Sequence, residues 1–271
     1  MNFYNLFNSK VLEIIRWLDT IPFFEMIGIV IGIVFLVIGV LLILIKIFCK
    51  SEEEFGGAAM ASEVSAGIYG LIIALILVSL YDARQKVEDG INQETNSLIA
   101  ILQDSQVLNN ASEIRAEVKN YVQIVIDQQW PLICSGKIDE AWVLSSKTIN
   151  PLYKVIQEAN PIGVVQTNFY AALPDVLKNL ASAQHGRLQQ ANTHLPIQFW
   201  RLINIMTVLI LLILVYGNPW KGMSTLIPIL IPGMVIALSL SLIISVHYPF
   251  LGPFGISSEA FSKVNAKLLH Y

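Results

Sequence analysis

A carboxylate and a series of small residues share one apolar stretch of the sequence, residues 58–82. The stretch carries Glu63 near its start and ends on Asp82, and a bilayer-spanning helix needs about 20 mostly apolar residues. Along it, small residues recur at every fourth position, which places them on one face of a helix. These small residues are Ser62, Ala66, Gly70 and Ala74. The pattern, with Gly67 one turn after Glu63, predicts close packing against another helix and attraction of ions by a carboxylate.

Glu63 has two interpretations at this level. In the first, the helix lines a polar path or a subunit interface, and Glu63 lies at its mouth. In the second, Glu63 caps the helix end in the headgroup layer and pairs with a lysine. A charged side chain costs on the order of 3 kcal/mol at mid-membrane and much less near the interface, so either position is physically open to it.

Other polar residues give weaker indications of chemistry. His247 follows the last apolar stretch and would titrate near physiological pH, which makes it a candidate pH-sensitive residue; its alternative is an interfacial residue without a switching role. Arg187 with His185 could bind an anion or a lipid phosphate, or could lie on a solvated helix face. The four histidines have no metal-ligand spacing among themselves or with acids. They are His185, His194, His247 and His270.

Enzyme motifs are missing from the sequence. We find no glycine-rich phosphate loop and no nucleophile elbow. The two cysteines are Cys49 and Cys134, far apart in the sequence and without metal spacing. We therefore expect a protein that is not an enzyme and that holds no cofactor and no metal.

The composition indicates an integral membrane protein. Of the 271 residues, 55% are hydrophobic and only 14% are charged, whereas soluble domains carry about 25% charged residues. The net charge of -3 gives no reason to expect a nucleic-acid partner. The expected partners are the lipid bilayer, ions and other copies of the same chain.

Four apolar segments are predicted to span the membrane. They are residues 26–45, 58–82, 197–216 and 226–246. The fourth contains Pro228, Pro232 and Gly233, and proline removes a backbone donor from a helix. A broken helix would expose carbonyls that bind ions or substrates; the alternative is a simple kink.

The predicted fold class is all-α, with four transmembrane helices and a helical-bundle soluble domain inserted between spans 2 and 3. The N-terminal segment is amphipathic and is expected to lie in the membrane interface or to pack on the soluble domain. The predicted boundaries are 1–25 for this helix, 26–82 for spans 1 and 2, 83–195 for the soluble domain, 196–246 for spans 3 and 4, and 247–271 for the tail. Within the soluble domain, Ser112 is a predicted helix cap, and Trp130–Pro131 and Pro174 are predicted helix ends.

Four spans place both termini and the large domain on the same side of the membrane. Basic residues near the spans do not decide which side, and the unpaired Cys134 favours the reducing cytoplasm.

Several short motifs follow one another in a set order along the chain. They are Glu63, Glu94, Tyr121, Gln129–Trp130–Pro131, Arg187–Leu188, Leu195–Pro196, Pro249–Phe250–Leu251–Gly252 and Ile256–Ser257. In this order and spacing they resemble the bacterial bestrophin-like domain family, four-span membrane proteins of unassigned function, from about residue 26 to the C-terminus. The resemblance implies a bacterial inner membrane and kinship with anion-conducting bestrophins. The family usually has an aspartate two residues before the Pro-Phe pair, where this chain has His247.

These features lead us to expect a homo-oligomeric ion channel or pore-forming protein with the second span around its axis. A cyclic oligomer would bring Glu63 into a ring, and acidic rings favour cations, whereas the family resemblance implies anions; the ion therefore stays open. The alternative is a membrane-anchored interaction or sensory protein whose helical domain binds a partner. A transporter, favoured by the interrupted fourth span, is a third hypothesis.

Overall fold

A computed structural model describes residues 3–48, 58–191, 195–218 and 226–268 of the chain. Within these ranges the regular structure is entirely helical, without a strand, as the sequence predicts. The α-helices are α1 (Phe3–Thr20), α2 (Phe23–Phe48), α3 (Ala58–Asp104), α4 (Ala111–Ile124), α5 (Trp130–Cys134), α6 (Ile138–Gln157), α7 (Gly163–Ala191), α8 (Ile197–Gly217), α9 (Ile227–His247) and α10 (Glu259–Lys267).

The chain divides into two compact units. The first unit comprises Met1–Asp82 and His194–Phe254, and the second comprises Ala83–Thr193 and Gly255–Tyr271. The helices α2, α3, α8 and α9 are each long and apolar enough to cross a membrane. The four spans expected from hydropathy are therefore confirmed by length and composition.

The helix α3 is much longer than a bilayer requires. Its 47 residues extend over about 70 Å at 1.5 Å per residue, whereas the hydrocarbon core is about 30 Å thick. The predicted span 58–82 is thus only its first half, and the helix continues without a break through Asp104. Continuation of the second span into the following helix agrees with the pattern of apolar residues in the sequence.

The first unit is built around α2. Its buried residues recur mainly every fourth position, and this face packs chiefly on α9. Gly233 of α9 permits the close approach, because a Cβ atom at this position would lie 2.7 Å from Cδ1 of Ile38. The helix α9 is continuous with Pro232 inside it, which favours the simpler of the two interpretations of the fourth span. Gly233 is a packing residue and not a helix break.

In the second unit, α4 and α6 pack on each other, and α10 packs on α4. Two predicted helix ends are wrong here. The segment Val125–Gln129 forms π-helical turns that lead from α4 directly into α5, so Trp130–Pro131 does not end the helix. A π turn shifts the hydrogen-bond register and absorbs the missing proline donor. Pro174 lies inside α7, where Leu173 and Leu177 are buried on either side of it and hold the helix together.

The predicted cap at Ser112 is also displaced. The helix α4 begins at Ala111 with Asn110 as its N-cap residue. The Asn110 side-chain amide donates to the carbonyl of Val155 at 2.8 Å, so this asparagine joins the start of α4 to α6.

Candidate functional site

The small-residue face of α3 is open in the first unit. Glu63, Ala66, Gly70 and Ala74 are exposed, and Ser62 is half-buried. A Cβ atom added at Gly70 would meet nothing within 4 Å. The other face of this part of α3 is packed inside the unit through large residues. They are Tyr69, Ile73, Ile76 and Leu80.

A groove of about 530 Å³ lies between this face of α3 and the helices α8 and α9. The α3 residues that line it include the four small residues and Glu63. The opposite side is apolar apart from Ser239 of α9, and it includes Ile210 of α8 and Pro232 and Val235 of α9. Glu63 is the only charged residue among the described residues that line the groove. The structure thus brings five of the predicted site residues together on one cavity.

The remaining predicted residues lie elsewhere. Gly67 and Asp82 are exposed on α3 but do not line the groove. A Cβ atom at Gly67 would also meet open space. His247 is only 1% exposed at the end of α9.

One polar contact inside the first unit was not predicted from the sequence. The hydroxyl groups of Tyr69 and Thr207 are 2.9 Å apart and form a hydrogen bond between α3 and α8. Both residues are nearly buried, and Tyr69 also lines the groove. The presence of a tyrosine within a predicted span could have indicated this contact, since a buried phenol needs a hydrogen-bond partner.

The second unit contains a fully buried ion pair. Glu94 of α3 and Arg187 of α7 are both 0% exposed. The Nε atom of Arg187 donates to Oε2 of Glu94 at 2.8 Å, and Nη2 donates to Oε1 at 3.0 Å. Such paired, parallel hydrogen bonds are the strongest geometry for a guanidinium and a carboxylate. They join two positions that are 93 residues apart in the sequence.

Further polar residues complete this buried cluster. The Tyr121 hydroxyl donates to Oε1 of Glu94 at 2.6 Å, and Nη2 of Arg187 also donates to Oε1 of Gln129 at 2.9 Å. Gln129 is the last residue of the π-helical segment, and its amide donates to the Ala141 carbonyl at 3.2 Å. The π turns therefore set the position of the glutamine that meets the arginine.

Aromatic side chains enclose the guanidinium. Its central carbon lies 5.7 Å from the ring centre of Trp130 and 5.5 Å from that of Phe261. Although burial lowers the pKa of Arg187, the Glu94 carboxylate raises it above its ordinary value overall. Burial, followed by the Glu94 charge, likewise holds the pKa of Tyr121 well above its usual range. Arg187 therefore stays charged and Tyr121 stays protonated as a hydrogen-bond donor.

The two sequence interpretations of Arg187 are both wrong. It neither lies on a solvated face nor offers its charge to an anion, because the charge is neutralised by Glu94 inside the unit. The cluster joins the motif residues Glu94, Tyr121, Gln129 and Arg187, with Trp130 beside them. Its chemistry is that of a structural connection between helices.

His247 lies among aromatic rings in the first unit. The centre of its ring is 5.4 Å from the ring centre of Trp200 and 4.5 Å from the ring centre of Tyr248.

Gly252, between α9 and α10, has φ +70°, and a Cβ atom there would overlap the carboxylate and carbonyl of Asp19. The glycine of the Pro-Phe-Leu-Gly motif is thus required twice, by its backbone conformation and by the close approach of Asp19.

Asp19 itself was missed by the sequence analysis. It is 0% exposed, and neither carboxylate oxygen has a hydrogen-bond partner among the described residues. Burial raises the pKa of Asp19 from 3.8 to about 7. An acid near the end of an amphipathic helix gave no sign of burial, because its surroundings come from distant parts of the chain.

Among the described residues, no group of three His, Cys, Asp or Glu side chains could hold a metal ion.

Comparison with known families shows that the chain matches a family of membrane proteins over most of its length. The family described as Bestrophin-like domain matches residues 58–261, a range that begins with the first residue of α3 and reaches into α10. No curated protein and no solved structure matches the chain.

Proposed function

The chain belongs to the bestrophin-like domain family, as its motifs predicted, and from this premise we propose that it is a homo-oligomeric ion channel or pore. The family and the four apolar helices make it an integral membrane protein. In our proposal, the first half of α3 from each copy lies at or next to the symmetry axis. Ions pass along the surface that these helices enclose.

The observation that carries the proposal is the open small-residue face of α3. This helix packs Tyr69 and Ile73 inside its own unit but leaves Ala66, Gly70 and Ala74 exposed. In lipid, helices associate where small side chains let their backbones approach closely. A second copy placed on this face would gain packing contacts that flexible lipid chains provide less well.

Glu63 gives the proposed pore its chemistry. No described residue forms a hydrogen bond or an ion pair with it, and it lies on a groove whose other lining residues are mainly apolar. Cyclic symmetry would repeat this carboxylate around the axis, and rings of carboxylates attract cations. Kinship with anion-conducting bestrophins supports the opposite selectivity, so we leave the sign of the ion to measurement.

The test is conductance of purified protein in planar bilayers, with the Glu63→Gln variant beside the natural chain. We expect the wild type to conduct and the substitution to lower the permeability ratio of cations to anions. Glu113→Gln is the matched control, because Glu113 is an exposed carboxylate in the second unit; it should leave the ratio unchanged. Absence of conductance at every voltage, pH and calcium concentration, beside a working control channel, would overturn the proposal.

A second candidate function is a membrane-anchored interaction or sensory protein. The observation that favours it is a cleft of about 880 Å³ on α4 and α6, lined by acidic and basic side chains. Glu113 and Glu117 lie on α4, and Lys147 and Lys154 lie on α6, a mixture suited to a polar protein partner. Affinity capture in mild detergent should then recover a stoichiometric partner, whereas recovery of the chain alone would count against this function.

We also propose that the second unit, approximating the predicted domain 83–195, lies outside the membrane on the side of both termini. The proposed location is the cytoplasmic face of a bacterial inner membrane. Labelling of a Glu113→Cys variant in a Cys49→Ser, Cys134→Ser background with a membrane-impermeant maleimide would test it. Labelling in intact spheroplasts would place the unit outside the cytoplasm. Labelling only after lysis would support the proposal.

A further inference from the structure

The helix α7 extends beyond the packed part of the second unit. Its first buried residue is Leu173, and none of the residues 163–172 is buried. These ten residues correspond to about 15 Å of helix. We call residues 162–172 the α7 overhang, which includes the residue before the helix.

Large apolar side chains of the overhang are exposed. The exposed fractions are 72% for Ile162, 76% for Val164, 62% for Val165 and 41% for Phe169. Scattered apolar residues are ordinary on a surface, but a contiguous group of them marks an interaction site. Four such residues lie within eight positions of one segment, and Val165 and Phe169, four positions apart, share one face of the helix.

The overhang is held in place by hydrogen bonds at its start. The backbone N–H of Ile162 donates to Oε1 of Gln166 at 2.7 Å, and the Gln166 amide donates to Oδ1 of Asn109 at 3.3 Å. The Asn109 amide in turn donates to the Asn160 carbonyl at 3.4 Å. Because the segment is already ordered, a partner that binds it avoids much of the cost of ordering a loop.

The charge pattern narrows the choice of partner. From Ala159 to Pro174 the sequence contains no Asp, Glu, Lys, Arg or His. Anionic lipid surfaces and nucleic acids are bound through lysine and arginine, which this segment lacks. The centres of protein interfaces, by contrast, are depleted in charged residues.

The same pattern suits contact between identical surfaces. Like charges placed opposite each other cost several kcal/mol, and an uncharged segment meets its own copy without that cost. Its polar residues, such as Asn168 and Tyr170, carry groups that both donate and accept hydrogen bonds. We propose that the α7 overhang is a self-association surface that packs against a second copy of this chain. The inference rests on the homo-oligomer of the proposed function and adds a contact in the second unit to the one expected along α3.

The first experiment compares Val165→Asp with Val143→Asp. The two valines are matched, since both lie on helices of the second unit and Val143 is 66% exposed, yet Val143 is outside the overhang. The mass of the detergent-solubilised particle would be measured over a hundredfold range of protein concentration. We expect Val165→Asp to require at least tenfold more protein for assembly, and Val143→Asp to behave as the wild type. Equal helical content and melting temperature would confirm that both variants are folded.

Cross-linking supplies a second measurement that does not depend on a disruptive substitution. In a Cys49→Ser, Cys134→Ser background, Val164→Cys should form covalent dimers with a short bifunctional maleimide, whereas Val143→Cys should not. Unchanged assembly of Val165→Asp together with no cross-link at position 164 would overturn the inference. Equal weakening by both aspartate variants would overturn it as well.

Two further outcomes separate this inference from the proposed function. Oligomers that require the overhang but carry no ionic current would support the self-association surface and reject the channel. Oligomers that conduct and are weakened by Ala66→Leu on α3, but not by Val165→Asp, would reject the overhang and leave the channel intact. A monomeric wild-type protein would reject both.

Discussion

Two glutamates on helix α3 differ in whether the folded chain pairs their carboxylates with other side chains. Glu94, in the second half of α3, is fully buried and accepts hydrogen bonds from Arg187 and Tyr121. Glu63, in the first half, is exposed on a mainly apolar groove, and no described residue pairs with it. Both are motif residues, so membership in a motif does not decide whether an acid is paired inside the fold or left exposed. What separates them is whether the chain itself supplies the opposite charge.

Among the predictions, loss of the buried ion pair should lower the free energy of unfolding most. Arg187→Ala leaves the Glu94 carboxylate buried without its partner, and breaking one side of such a pair costs about 3–5 kcal/mol. We expect a correspondingly large fall in the free energy of unfolding, measured by denaturant titration in detergent. Lys178→Ala is the control, because its ion pair with Asp175 at 3.1 Å is exposed and should contribute less than about 1 kcal/mol. Similar effects of the two substitutions would remove the distinction drawn for Glu94.

A third carboxylate, Asp19, extends the comparison because it is buried without a hydrogen-bond partner among the described residues. Its pKa is raised to about 7 by burial, so the folded protein binds a proton that the unfolded chain releases near pH 4. Stability from this group is therefore complete below about pH 4, is lost as the pH rises through about 7 and changes no further once both states are deprotonated. We expect the melting temperature of the wild type to fall over this interval.

The variant Asp19→Asn tests this assignment. An amide does not titrate, so the fall in melting temperature between pH 4 and pH 8 should become smaller. Asp139→Asn, at an exposed position of α6, should preserve the wild-type slope. An unchanged slope in Asp19→Asn would assign the pH dependence to other groups.

The smallest expected effect concerns the hydrogen bond beside the groove. Tyr69→Phe removes the hydroxyl that lies 2.9 Å from Thr207, and the net loss of one such bond is about 0.5–1.5 kcal/mol. Thermal unfolding should show a small decrease with unchanged helical content. Thr207→Val removes the other side of the same bond, and the double variant should cost less than the sum of the two single changes. Strict additivity would indicate that the two groups do not interact.

The four spans could be predicted from the sequence because the bilayer imposes a simple requirement. Each span must satisfy its backbone internally and present about 20 apolar residues to lipid, and both conditions are visible in hydropathy. The positions of Pro131 and Pro174 could not be interpreted so easily. Proline disfavours a helix locally, but π-helical turns before Pro131 and buried leucines on either side of Pro174 maintain the helix.

The candidate site also combines a feature that local sequence predicts with one that depends on tertiary packing. The spacing of Ser62, Ala66, Gly70 and Ala74 defines one face of α3 in any helix, because the helical period is fixed by the backbone. That these residues line a groove with α8 and α9 depends on helices contributed by residues more than 120 positions later in the sequence. The pairing of Glu94 with Arg187 and the burial of Asp19 have the same origin, since no local pattern encodes the partner of a charged residue.

The amino-acid sequence by itself determined the family, the helical class, the four apolar helices and the small-residue face of α3. These follow from local periodicity, from side-chain hydrophobicity and from motifs that need no three-dimensional context. Only the tertiary structure decided that Arg187 is a buried partner of Glu94 and that the α7 overhang has no buried residue. It also decided that Asp19 is buried without a hydrogen-bond partner in the described part of the chain. Burial and charge pairing depend on which distant segments meet, and that is set by the packing of the whole unit.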